Sequence, residues 1–161
     1  GGSLLGAVRN NDFIAWDDDV DFDTLLEDFS TIKYLLRDSM LEAGFVVRLT
    51  DDENFPKVSF YKKGQKIALG ALKKDGVWRV RPAYRYPDIM FNMKETILFK
   101  GMKFNVPSPT EEFLEHVYGK SWKEPIKAEN DIEFYNVKSL RGGRLKLLIK
   151  KIYYKIRRLI R

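Results

Sequence analysis

Four carboxylates fall within five residues at Asp17-Asp18-Asp19-Val20-Asp21, between Trp16 and Phe22. Successive side chains of an extended strand point to opposite faces, so Asp19 and Asp21 share one face and Val20 and Phe22 the other. The apolar pair can face a core while the acids project together into an open site. Carboxylates held that close repel one another, and their pKa values rise unless a cation neutralises them. The cation expected is Mg²⁺ or Mn²⁺, because hard divalent ions take carboxylate oxygens and leave room for substrate phosphates. Asp19 and Asp21 are therefore the candidate catalytic pair and metal ligands, with Asp17 or Asp18 in support. The competing reading is a structural acidic turn, since an isolated D-x-D is a weak signal.

Upstream, Gly1-Gly2-Ser3-Leu4-Leu5-Gly6-Ala7-Val8-Arg9 reads as a glycine-rich turn opening a short apolar helix. Backbone N–H groups at such a helix start form an anion site, and glycine allows close approach, so Gly2 and Ser3 are candidate phosphate donors. Arg9 is either a bidentate phosphate clamp or a surface arginine paired with the acidic run. Downstream, Arg79-Val80-Arg81-Pro82-Ala83-Tyr84-Arg85-Tyr86-Pro87 mixes cations with aromatics. Arg81 and Arg85 can take a diphosphate, and Tyr84 or Tyr86 can stack on a base or a choline. A rigid loop packed by its tyrosines is the alternative. Trp16 and Trp122 are expected to pack, and His116 to be a partly exposed structural residue.

The glycine-rich stretch, followed by Phe13-Ile14-Ala15-Trp16-Asp17-Asp18-Asp19-Val20-Asp21, resembles the signature of the LicD family. That family includes bacterial phosphorylcholine transferases and relatives of the fukutin-related ribitol-phosphate transferases. A second match lies at Phe104-Asn105-Val106-Pro107-Ser108-Pro109-Thr110-Glu111-Glu112-Phe113-Leu114, then Val117-Tyr118-Gly119-Lys120-Ser121-Trp122 and Pro125. The two motifs bracket most of residues 1–126. The resemblance implies a nucleotidyltransferase-like core and in-line transfer of a substituted phosphate from a CDP-activated donor such as CDP-choline. The implied acceptor is a hydroxyl of a cell-surface glycan or lipid-linked glycan. It also implies a third carboxylate from a later strand. The matching stretch reads Lys66-Ile67-Ala68-Leu69-Gly70, with Ala68 in the expected place, Gly70 on the same strand face, and Asp75 or Asp88 the acids left to reach in from a loop.

These residues need a scaffold. Asp23 or Thr24 is expected to cap a helix to about Ala43, with Leu26, Phe29, Ile32, Leu36, Met40 and Ala43 as its apolar stripe and Gly44 as its stop. Strands are expected over 45–49, 57–61, 66–72 and 77–81, with a hairpin of 96–99 and 103–106. Ser108 is expected to cap a last helix, with Pro109 at its first position, Glu111 completing a capping box and Gly119 ending it. The order predicts an α+β fold with a mixed, largely antiparallel sheet and flanking helices.

At 161 residues, 44% hydrophobic and 14% aromatic, the chain is long and apolar enough for one sizeable core. It has no cysteine, which excludes disulfides and thiolate metal sites. The net charge of +6 is an uneven average: residues 138–161 hold ten Lys or Arg and no acid, leaving 19 basic and 23 acidic residues elsewhere. A basic body for nucleic acid is therefore not expected. In the tail Leu145, Leu148, Ile149, Ile152, Ile156 and Leu159 recur at helical spacing among cations. That predicts either a basic amphipathic helix on an anionic membrane surface or a partner-binding helix. The expected division is a domain over 1–137 and a tail helix over 138–161, hinged at Gly142-Gly143. The expected location is cytoplasmic, peripheral to the inner face of the plasma membrane. The chain begins inside the glycine-rich motif, so a preceding element is expected.

Overall fold

The computed structural model describes residues 1–125. Within them the chain runs α1 (Gly2–Asn10), β1 (Asp19–Leu25), α2 (Leu26–Glu42), β2 (Val46–Thr50), β3 (Lys57–Lys62) and β4 (Gln65–Asp75). It continues through β5 (Trp78–Val80), β6 (Arg85–Pro87), a 3-10 turn (Asp88–Phe91), β7 (Lys94–Phe99), β8 (Met102–Pro107) and α3 (Thr110–Tyr118). The architecture is α+β. Five strands follow the order β2-β3-β4-β5-β6 with antiparallel neighbours, and β1 adds to β4 in parallel. β7 and β8 form a separate hairpin. The expected tail helix and the boundary at 137/138 lie outside the described residues.

The eleven-residue β4 organises the rest, because its alternation feeds two different packings. Ile67, Leu69 and Ala71 turn one face toward α2, where they join Phe29, Val58 and Phe60 with Leu26, Ile32, Leu36 and Met40 packed against them. This is the stripe expected from helical spacing except at Ala43, which is exposed beyond the end of α2. Lys66, Ala68, Gly70 and Leu72 alternate onto the other face. There Leu72 packs with Tyr86, Phe113 and Val117, and Leu4 of α1 closes over them. α1 in turn lies on α3 through Leu5, Leu114 and Trp122. The two motif-bearing segments, at opposite ends of the described chain, thus share one core.

Two helix starts differ from expectation. Asp23 and Thr24 do not cap α2: they continue β1, and Leu25 is the N-cap, with no side-chain cap bond. Pairing of β1 with β4 through Leu25–Leu72 outweighs the local capping preference. At α3 the N-cap is Pro109, again without a cap bond of its own. Ser108 is buried instead, and a distant acid does the capping: Thr110 N–H donates to Glu95 Oε2 at 2.9 Å, and Ser108 Oγ donates to Glu95 Oε1 at 3.3 Å. The Thr110 hydroxyl and then its N–H hold the Glu95 carboxyl below the usual carboxylate range. β6 is a third difference, because Arg85-Tyr86-Pro87 is too short to show a strand period.

Candidate functional site

The site forms where α1, β1 and β4 meet. Parallel pairing sets Asp19 beside Lys66, Asp21 beside Ala68 and Asp23 beside Gly70, all alternating onto one sheet face. α1 is tied to this strand by its first turn: the Asp21 N–H donates to Ser3 Oγ at 3.2 Å. The loop after α1 folds back tightly. A Cβ on Gly6 would lie 2.5 Å from the carbonyl oxygen of Asp12, so that glycine is required by packing.

Asp17 approaches α1 more closely still. A Cβ on Gly2 would lie 2.1 Å from Asp17 Oδ2. The carboxylate therefore rests against the helix start that the sequence assigned to a phosphate, where the helix dipole favours an anion. Burial first, and then the charge of Asp19, push the Asp17 carboxyl above its ordinary value; a backbone hydrogen bond from Asp19 opposes them. Asp17, Asp18 and Asp19 each place one carboxylate oxygen within 4.8 Å of the others. Six-coordinate Mg²⁺ at about 2.1 Å spans opposite ligands at about 4.2 Å, comparable with that limit. Hard oxygen donors and surplus negative charge fit such a cation. Asp21 is not part of this oxygen cluster, although its charge contributes to lifting Asp17.

One contact had no sequence signal. The Lys66 ammonium ion-pairs with Asp19 and lies in the field of Asp21, and the hydrogen bond it donates to Asp19 is the main cause that raises its pKa. Only strand register joins residues 47 positions apart. The expected third carboxylate is absent from β4, since Ala68 neighbours Asp21 and is buried. Gly70 cannot compensate: a Cβ there would already sit 3.2 Å from Asp23 Oδ1. Nor does Asp88 reach in. It is held by Arg79 Nε at 2.6 Å and Lys74 Nζ at 2.8 Å, while Arg79 also bonds Glu27. Asp75 is exposed at the β4–β5 turn.

The remaining candidates are dispersed. Arg81 Nη1 lies 3.2 Å from Asp23 Oδ2, on the acid face. Arg85 pairs with Val80 in the β5–β6 register and stacks on Trp78 at 4.6 Å. Arg9 is in the last turn of α1, about 10 Å along the helix from Gly2. It donates to Asn10 Oδ1 at 2.6 Å and forms no ion pair with the acidic run among the described residues. Tyr86 is buried against Phe113, which is the packing alternative for that loop. His116 Nε2 is 3.1 Å from the carbonyl oxygen of Arg85. Trp122 is buried, but Trp16, expected to pack, is 44% exposed beside the acids. Phe22 is exposed too and stacks on Phe104 rather than entering a core.

Residues 1–109 match the family model described as LicD/FKTN/FKRP, nucleotidyltransferase domain. Over 131 residues the chain is 29% identical to the proteins named ribitol 5-phosphate transferase FKRP of Mus musculus and of Homo sapiens. The alignment covers 74% of this chain and 26% of each relative. The chain therefore spans about a quarter of the length of the curated relatives it matches.

Proposed function

Because the chain belongs to the LicD/FKTN/FKRP nucleotidyltransferase-domain family, we propose that it transfers a substituted phosphate from a CDP-activated donor to a glycan hydroxyl, aided by Mg²⁺ or Mn²⁺. The carrying observation is the gathering of the Asp17, Asp18 and Asp19 carboxylates, with Asp17 against the helix start at Gly2. Those three acids hold the cation, which when bound supplies charge neutralisation on the departing nucleotide. Asp17 turns from Gly2 toward it, leaving the first-turn N–H groups of α1 to a donor phosphate. Asp21, which forms no ion pair among the described residues, accepts the proton of the attacking hydroxyl. The new bond joins that oxygen to the substituent-bearing phosphorus, the phosphoanhydride bond breaks, and CMP leaves.

The relatives' name favours ribitol phosphate as the substituent, beside the phosphocholine of CDP-choline. No helix of the described residues is long and apolar enough to cross a membrane. The basic residues of 138–161 support attachment to an anionic membrane surface, near a lipid-linked acceptor. The test is CMP release by the full chain from CDP-choline and CDP-ribitol, with and without Mg²⁺. Pyrophosphate release from CTP instead would indicate nucleotidyl transfer. Ala68 favours a second reading, a catalytically impaired membrane-associated module. Turnover by the parent as fast as by Ala68→Asp would eliminate it.

A further inference from the structure

The missing carboxylate and the unexpected lysine are neighbours on one strand, and they change the charge of the site in the same direction. Where a third acid would stand beside Asp21, β4 offers the buried methyl of Ala68; two residues earlier it offers the Lys66 ammonium to Asp19. Of the neighbouring acids, Asp23 is engaged with Arg81, and Glu27 and Asp88 with Arg79. A second divalent ion at Asp19 and Asp21 would need ligands that these residues do not supply, and it would have to displace a cation already there.

We infer that Lys66 takes the place of a second metal: anchored by Asp19 opposite Asp21, its ammonium binds the donor's diphosphate beside a single divalent ion on Asp17, Asp18 and Asp19. The side chain is 30% exposed, so it can meet a ligand while its partner holds it. A compact ammonium suits a phosphate oxygen as a point charge. The inference rests on the reading of the site as a diphosphate centre, and the test separates the two.

Electron paramagnetic resonance of Mn²⁺ and calorimetry of CDP binding, on the full chain, provide the measurements. One Mn²⁺ per chain is expected with CDP present. Lys66→Gln should weaken CDP binding about tenfold or more at saturating Mn²⁺, the effect of losing a charged hydrogen bond. The same variant should bind Mn²⁺ alone more tightly, because a competing cation is gone, and a merely structural lysine would not move these affinities in opposite directions. Lys66→Arg, which keeps the charge, should recover most CDP affinity. Two Mn²⁺ per wild-type chain, or unchanged CDP affinity in Lys66→Gln, would overturn the inference while leaving the diphosphate reading standing. If neither Mn²⁺ nor CDP binds the wild-type chain, both fail. Should Lys66→Gln not fold, metal stoichiometry and Lys66→Arg still decide.

Discussion

The acidic run of β1 and the ion-pair network around Arg79 adjoin the same sheet, yet they treat charge in opposite ways. Around Arg79 charges are matched: Asp88 meets Lys74 and Arg79, and Arg79 meets Glu27. Lys74 and then Arg79 hold the Asp88 carboxyl below its ordinary value. At the N-terminal end of β1 four acids face one lysine, and Asp17 is lifted above its ordinary value. Matched charges hold a fold together. A surplus kept at some expense in repulsion is what the proposed cation would relieve. The contrast can be broken by exchanging the roles of the two regions.

The largest expected effect is on chemistry. Asp21→Asn should reduce CMP release by about 100-fold or more while leaving the melting temperature nearly unchanged, since Asp21 forms no ion pair among the described residues. A collapse of stability instead, seen by calorimetry, would make the acidic run structural. Asp88→Ala should do the reverse. It leaves the Arg79 guanidinium, whose side chain is 7% exposed, with only the exposed Glu27. Loss of one partner from a buried pair costs about 3 kcal/mol, read from urea unfolding. Because the Asp88 pKa is depressed, its contribution is present above the unfolded value near 3.8 and disappears as pH falls through the lower folded value. The wild-type advantage over Asp88→Ala should therefore shrink in acid, below about pH 4.

Gly6→Ala sharpens the comparison within the glycine-rich motif. Its added methyl meets backbone at Asp12, so a loss of about 1–3 kcal/mol is expected. Full stability in that variant would show that packing does not require Gly6.

Much of this contrast was legible in the residues, but unevenly. Strand alternation alone put Asp19 and Asp21 on one face, and helical spacing alone identified the buried stripe of α2. Contacts that depend on register were not legible. Lys66 looked like one cation among 29 until parallel pairing set it beside Asp19. Glu95 showed no capping signature because the helix it caps begins fifteen residues later. Capping preferences at Asp23 and Ser108 gave the wrong helix starts, since each is a small local energy that strand pairing or burial exceeds. Arg81 and Arg85 read as a pair by proximity in sequence, whereas in the fold Arg81 meets Asp23 and Arg85 stacks on Trp78.

The smallest expected effect is the most discriminating. Asp17 has a raised pKa, so its charged form is disfavoured by folding; it costs stability at neutral pH and ceases to do so as pH falls and it takes up a proton. Asp17→Asn should therefore melt slightly higher than the parent at pH 7, and the gain should vanish in acid. Saturating Mg²⁺ should reverse the order, because the cation relieves the repulsion in the parent and finds one ligand fewer in the variant. Scanning calorimetry of both chains, with Mg²⁺ or with chelator, measures the crossing. An Asp17→Asn chain that gains stability equally in both would show that the surplus carboxylates serve no metal, and the two charge regions would then differ in degree only.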